Sequence, residues 1–100
     1  MKKRYIVCIN NSTAEQEQLF INYAKENGLG WWHWLNNVWF LVDSSNKVSS
    51  EVIRDKIIEI FNGEFNIVVE LNSNGVDTWN GYGPSSENND MFRWVDKNWK

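Results

Sequence analysis

His33 is the only histidine in this 100-residue chain, and Cys8 is its only cysteine. A Cys–His nucleophile needs thiol and imidazole within hydrogen-bond reach and a third group to orient the ring. Cys8 lies in the apolar run RYIVCIN, where it reads as a small buried side chain, and no orienting group accompanies it. One histidine and one cysteine fall short of the four-ligand set of a zinc site. The carboxylates are scattered as surface charges, with no HExxH or comparable paired motif. The glycine-bearing stretch WNGYG is too short for a phosphate cradle and reads as a turn. These residues point away from catalysis and imply neither metal nor cofactor.

The aromatics hold the stronger signal. Seven tryptophans occur in the chain, four of them between Trp31 and Trp39 in GWWHWLNNVWFLVDSS. Indole faces stack on planar rings at roughly 1–3 kcal/mol per base, and Trp is enriched in binding hot spots. The candidate ligand-binding residues are Trp31, Trp32, His33, Trp34 and Trp39 in this segment, Trp79 and Tyr82 in a later loop, and Arg93, Trp94 and Trp99 in the tail. Arg93 and Lys97 set cations beside the tail indoles, suited to a phosphate or to stacking on a ring. The competing use of the same side chains is a core or a subunit seam.

A net charge of −3 disfavours a long phosphate backbone, which wants a basic track. A few cations beside stacking surfaces suit a small nucleotide-like ligand instead. A lone cysteine fits a reducing compartment. The start MKKRYIVCINNST has too short an apolar stretch for a signal peptide, and no segment approaches the roughly 20 apolar residues of a membrane span. The expected location is cytoplasmic, with no membrane partner.

The elements that must position these residues follow from periodicity. RYIVCIN reads as a central strand. NSTAEQEQLFINYAKENG reads as a helix capped by Ser12 or Thr13 and ended by Gly28, with Phe20, Tyr23, Ala24 and Leu19 inward. The tryptophan segment reads as a hairpin turning at Asn36-Asn37, with Leu35 opposite Val38, Trp34 opposite Trp39, His33 opposite Phe40 and Trp32 opposite Leu41. That register puts Trp32, Trp34, Trp39 and Leu41 on one face and Trp31, His33, Leu35, Val38, Phe40 and Val42 on the other. KVSSEVIRDKIIEIFNG reads as a helix capped by Ser49 or Ser50, with Val52, Ile53, Ile57, Ile60 and Phe61 inward and Gly63 at its end. EFNIVVELN alternates as a half-buried strand. A short strand is expected around 76–79, and a terminal helix starting at Asn89 or Asp90 that docks through Phe92, Val95 and Trp99.

This order predicts one α+β domain over residues 1–100: a ferredoxin-like βαββαβ core over 1–71, with both helices on one face of an antiparallel sheet, then an aromatic loop and short helix over 72–100. Both hairpin faces are apolar while two helices cover one, so the second face requires other cover. A second copy would supply it, as a homodimer or a dimer of dimers.

The runs GWWHWLNNVWFLVDSSNKVSSEVIRDKIIEI, VVEL and WNGYG resemble the small SinR-like proteins, grouped beside the ferredoxin-like nuclease and adaptor subunit of CRISPR spacer acquisition. The resemblance spans about residues 4–99. It implies a two-fold dimer of ferredoxin-like protomers. The CRISPR relatives have a metal-flanking Asp at the end of the first strand, and that place falls near Asn10 here, a neutral and poorer ligand for a hard dication. The expected function is a non-catalytic homodimeric protein that holds a nucleotide-like molecule between tryptophans, as in phage–host conflict. The alternatives are a metal-dependent nuclease or nucleic-acid adaptor, and a protein-interaction module working through its aromatic face.

Overall fold

The structure, a computed structural model, describes residues 2–71 and 85–99. Trp79, Tyr82 and the strand expected at 76–79 lie outside the described residues. The elements run β1 (Lys3–Ile9), α1 (Ala14–Glu26), β2 (Gly30–Leu35), β3 (Val38–Asp43), α2 (Ser50–Ile60), β4 (Asn66–Leu71), the two-residue strands β5 (Ser85–Ser86) and β6 (Asn89–Asp90), and α3 (Arg93–Asn98). The first four strands form an antiparallel sheet in the order β2-β3-β1-β4. The result is an α+β, roughly ferredoxin-like architecture.

Local chemistry explains the helix ends. Thr13 accepts from the Gln16 amide while the Gln16 side chain accepts from the Thr13 amide, a reciprocal capping box. Ser49 accepts from the Val52 amide at the start of α2. Past the two helices the chain turns through left-handed Gly28 and through left-handed Asn62-Gly63. From α1, Phe20, Tyr23 and Ala24 are buried, and from α2, Ile53 and Ile57, with Phe61 just beyond. Leu19 and Val52, expected inward, are exposed. Each lies one position before the stripe that meets the sheet.

The helices roof one sheet face, here the first face, where they pack with Tyr5, Val7, Ile9, Trp39 and Leu41. Phe20 is the hub: its ring meets Trp39 edge-on at 4.9 Å and Phe61 at 5.8 Å. Buried aliphatic and aromatic side chains of this kind contribute about 1.5–3 kcal/mol each. The fully buried Asp43 organises the connection into α2, accepting from the amides of Val48 at 2.8 Å and Ser45 at 3.3 Å. Tyr5 donates its hydroxyl to the Val48 carbonyl at 2.9 Å.

The hairpin departs from the expected register. Leu35 does pair with Val38, but Trp32 pairs with Phe40, Trp31 with Leu41 and Gly30 with Val42, because a bulge lies between Trp32 and Leu35. His33 and Trp34 together oppose Trp39. Neither Asn36 nor Asn37 adopts a positive φ. A turn without left-handed residues splays its strands, and the bulge restores the local twist. The extra residue exchanges the faces of the neighbouring rings: Trp31 packs toward the helix-side core and Trp32 toward the other side.

The second face has its own core of Trp32, Val42, Met91, Val95 and Trp99, with Phe40, Ile6, Leu71, Phe92 and Trp94 against it. The chain's C-terminal segment thus covers much of the face for which a second copy was expected. α3 begins at Arg93, later than expected. Asn89 and Asp90 are instead paired with Ser86 and Ser85, and the Asp90 carboxylate accepts from the Phe92 amide at 2.9 Å. Among the described residues no helix is long and apolar enough to cross a membrane.

Candidate binding surface around the sheet edges

Three rows of side chains cross the second face, read from the strand pairings. Val42, Arg4 and Leu71 form the first, and Trp32, Phe40, Ile6 and Val69 the second. The third runs Leu35, Val38, Cys8, Ile67, apolar across all four strands. The C-terminal segment lies over the first two rows. Trp99 stacks on Phe40 at 4.6 Å, Phe40 stacks on Trp32 at 4.4 Å, and the Trp32 indole N–H donates to the Met91 carbonyl at 2.6 Å. Buried Arg4 donates to the Trp99 carbonyl at 2.9 Å and holds its guanidinium 5.5 Å over the Trp99 ring. The third row is left open, with Leu35 48% and Ile67 58% exposed.

β4 is where the polarity of the sequence meets the fold most oddly. Its alternating apolar set, read as the half-buried side, faces away from the helices. Phe65 is 81% and Val69 43% exposed, whereas Val68 packs into the helix-side core. The sequence signal for this surface was present in EFNIVVELN. The missing knowledge was which side the helices would take.

The nominated residues divide by position. Trp39 is fully enclosed, and Trp32 and Trp99 are nearly so. Trp31 and Trp94 are half-buried, and Trp34 is exposed at the bulge. They do not share a face: Trp31 packs on the helix side and Trp94 on the second face. Trp31 and Trp34 belong to β2, and Trp94 lies so close against Gly30 that a β-carbon there would come within 3.1 Å of its ring. Lys25 holds its ammonium 5.8 Å from the Trp31 ring centre. Arg93 is engaged locally, donating to the Glu87 carbonyl at 2.7 Å with Asp90 at 4.0 Å.

His33 lies on Trp39, ring centres 3.7 Å apart and planes 6° from parallel. Its Nδ1 is 3.0 Å from the Val38 carbonyl and its Nε2 3.2 Å from a Glu17 oxygen. Both neighbours are acceptors, so the ring is held between two acceptors on opposite edges. The second Glu17 oxygen accepts from Ser12 at 2.6 Å. This network ties the start of α1 to the hairpin. Cys8 is half-buried rather than buried and belongs to the second-face row, while His33 stacks on the first face. The sheet separates them, so they form no nucleophilic pair. Asn10, at the place of the CRISPR relatives' Asp, donates to Glu64 at 3.1 Å. Among the described residues no three His, Cys, Asp or Glu side chains gather as a metal site.

Among the described residues, three groups have displaced acidities. Burial first, then the Glu70 and Asp43 charges, push the Tyr5 phenol up to about 12. Burial raises Tyr23 as well, with Lys56 opposing and Asp43 adding to the effect. The hydrogen bond to Asp55, and that carboxylate's charge, raise Arg54. Arg54 and Glu51 line a groove of about 260 Å³ along β4, with Ser50, Asn66, Ile67 and Val68.

Comparison of the chain with protein-family models, with curated proteins and with solved structures returned no match.

Proposed function

We propose that this protein is a non-catalytic, homodimeric binding protein that holds a planar, anionic, nucleotide-like small molecule at the β2 edge. The observation behind this reading is the accessible pair Trp31 and Trp34 on β2 with the Lys25 ammonium beside Trp31, while Trp94 packs against Gly30 from the other face of the same strand. Indole faces supply the stacking and the ammonium supplies the charge. Buried Trp32, Trp39 and Trp99 serve as the support of that edge. In this reading the fold is the ferredoxin-like βαββαβ class with an aromatic C-terminal cover, and SinR-like kinship is part of the same proposal. A phage–host setting would suit such a sequestering protein.

The test is intrinsic fluorescence and thermal shift with a panel of linear and cyclic nucleotides. Binding should quench tryptophan emission and raise the melting temperature, and Trp34→Ala should weaken affinity by about fivefold or more, from the roughly 1–3 kcal/mol of one stacked base. No quenching and no shift across the panel overturns the reading. The open row Leu35–Val38–Cys8–Ile67 favours a second reading, a protein-interaction module, because a flat apolar strip suits a protein surface. Lysine at Leu35 or Ile67 would then abolish binding to a partner while leaving nucleotide responses unchanged.

A further inference from the structure

We infer that the free edge of β4 pairs antiparallel with β4 of a second copy, in a register centred on Val68, joining two four-stranded sheets into one. The inference rests on the homodimeric part of the reading above and names its interface.

The two outer strands of the sheet differ. β2 is guarded in the ways natural edges usually are, by a bulge within it and by the C-terminal segment packed against it. β4, with the sequence NIVVEL, has no proline, lysine or glycine, and it pairs with β1 without a register shift. Among the described residues nothing pairs with its outer side.

Backbone geometry selects which groups are on offer. The Asn10 amide donates to the Phe65 carbonyl at 2.9 Å, so Phe65 is turned toward β1. Antiparallel pairing alternates strictly along a strand. Ile67, Val69 and Leu71 therefore bond to β1, while Asn66, Val68 and Glu70 direct amide and carbonyl outward. A two-fold axis at Val68 pairs Val68 with the partner's Val68 and Asn66 with the partner's Glu70.

Side chains favour the same register. On the second face Ile67 falls opposite the partner's Val69, and Phe65 opposite the partner's Leu71. The strand's most exposed apolar groups thereby cover one another, as cross-strand apolar pairs do. On the helix side Glu70 avoids its own copy and arrives beside Asn66. Arg54 lines the groove at Asn66 and Val68 and there donates to Asp55 at 2.8 Å, so its guanidinium lies within the groove the partner's Glu70 would enter and is shared between the two carboxylates on each side of the axis. Glu51 shares that groove, and with Asp55 it sets the negative charge that Arg54 must outweigh.

The experiment compares the full chain with Arg54→Glu, Glu70→Arg, the double variant and Val68→Pro, by light scattering and sedimentation at micromolar concentration. The wild type should be a dimer. Each single charge change should weaken the dissociation constant about fivefold or more, since two exposed pairs are reversed at once, and the double variant should restore it. Proline at 68 removes an outward amide and leaves the bonds to β1 intact, so it should give a folded monomer by circular dichroism. Amides of Asn66, Val68 and Glu70 should exchange slowly in the dimer and quickly on dilution. A wild-type monomer overturns the inference, as do those amides protected in a monomer, which would mean the chain covers its own edge. A dimer indifferent to the charge changes also overturns it and locates the interface elsewhere. None of these results decides the nucleotide test.

Discussion

Truncating Trp99 to alanine measures how much the C-terminal cover contributes. The ring is 4% exposed, stacks on Phe40 at 4.6 Å and lies beneath the Arg4 guanidinium at 5.5 Å. Removing a buried Trp typically costs about 3–5 kcal/mol. The aromatic stack accounts for about 0.5–1.5 of this and the cation–π contact for about 0.5–2, the remainder being lost apolar burial. A domain of this length has roughly 5–15 kcal/mol in total, so the variant should remain folded at 25 °C while its melting temperature falls by more than about 10 °C. α3 is only six residues long and has no independent stability, so it should undock as a unit and bare Trp32 and Val42. Urea denaturation followed by circular dichroism gives the energy, and amide exchange along α3 gives the location. Trp99→Phe should recover over half of the loss through the retained stack. A cost below about 1 kcal/mol, with α3 amides still protected, would refute the claim that this segment covers the second face.

Tyr5 makes alkaline stability measurable. Its folded value near 12 stands above the ordinary 10, so the neutral phenol is favoured in the native state. The stabilisation is complete below pH 10 and is lost as pH rises from 10 to 12, about 3 kcal/mol at most. Denaturation midpoints from pH 8 to 12 should show this fall, and Tyr5→Phe should reduce it while costing about 1 kcal/mol at neutral pH for the lost bond to Val48. Asp43→Ala should cost about 1–3 kcal/mol by stranding the Val48 amide, whereas Asp43→Asn should keep most of that stability because its side-chain oxygen still accepts. Equal losses in both, measured by urea denaturation, would assign Asp43 a purely electrostatic role.

The helices were legible because each end has its own chemistry. The Thr13–Gln16 box, the Ser49 cap, the glycines at 28 and 63 and the stripe Ile53, Ile57, Phe61 all act within a turn or two of themselves. The docking of Val95 and Trp99 was legible from spacing. The hairpin register was not, because HisTrp against Trp leaves apolar character on both sides, and alternation marks a bulge only when the faces differ. β4 was misread for a related reason. Its apolar set is the better patterned, yet the lone Val68 supplies its contact with the core. The candidate surface shared that limit: composition identified indoles, but their accessibility follows from the bulge and from where the C-terminal segment lies.

The extra residue at His33-Trp34 makes this strand unequally tolerant of change. Exchanging one side chain for another leaves the chain's path intact, but shortening the strand by a single codon would restore one-to-one pairing with β3 and turn Trp31 and Trp32 over together. The ring now lodged beneath the C-terminal cover would be traded for the one beside Lys25. Drift in sequence is therefore affordable at this edge, while drift in length is a change of architecture.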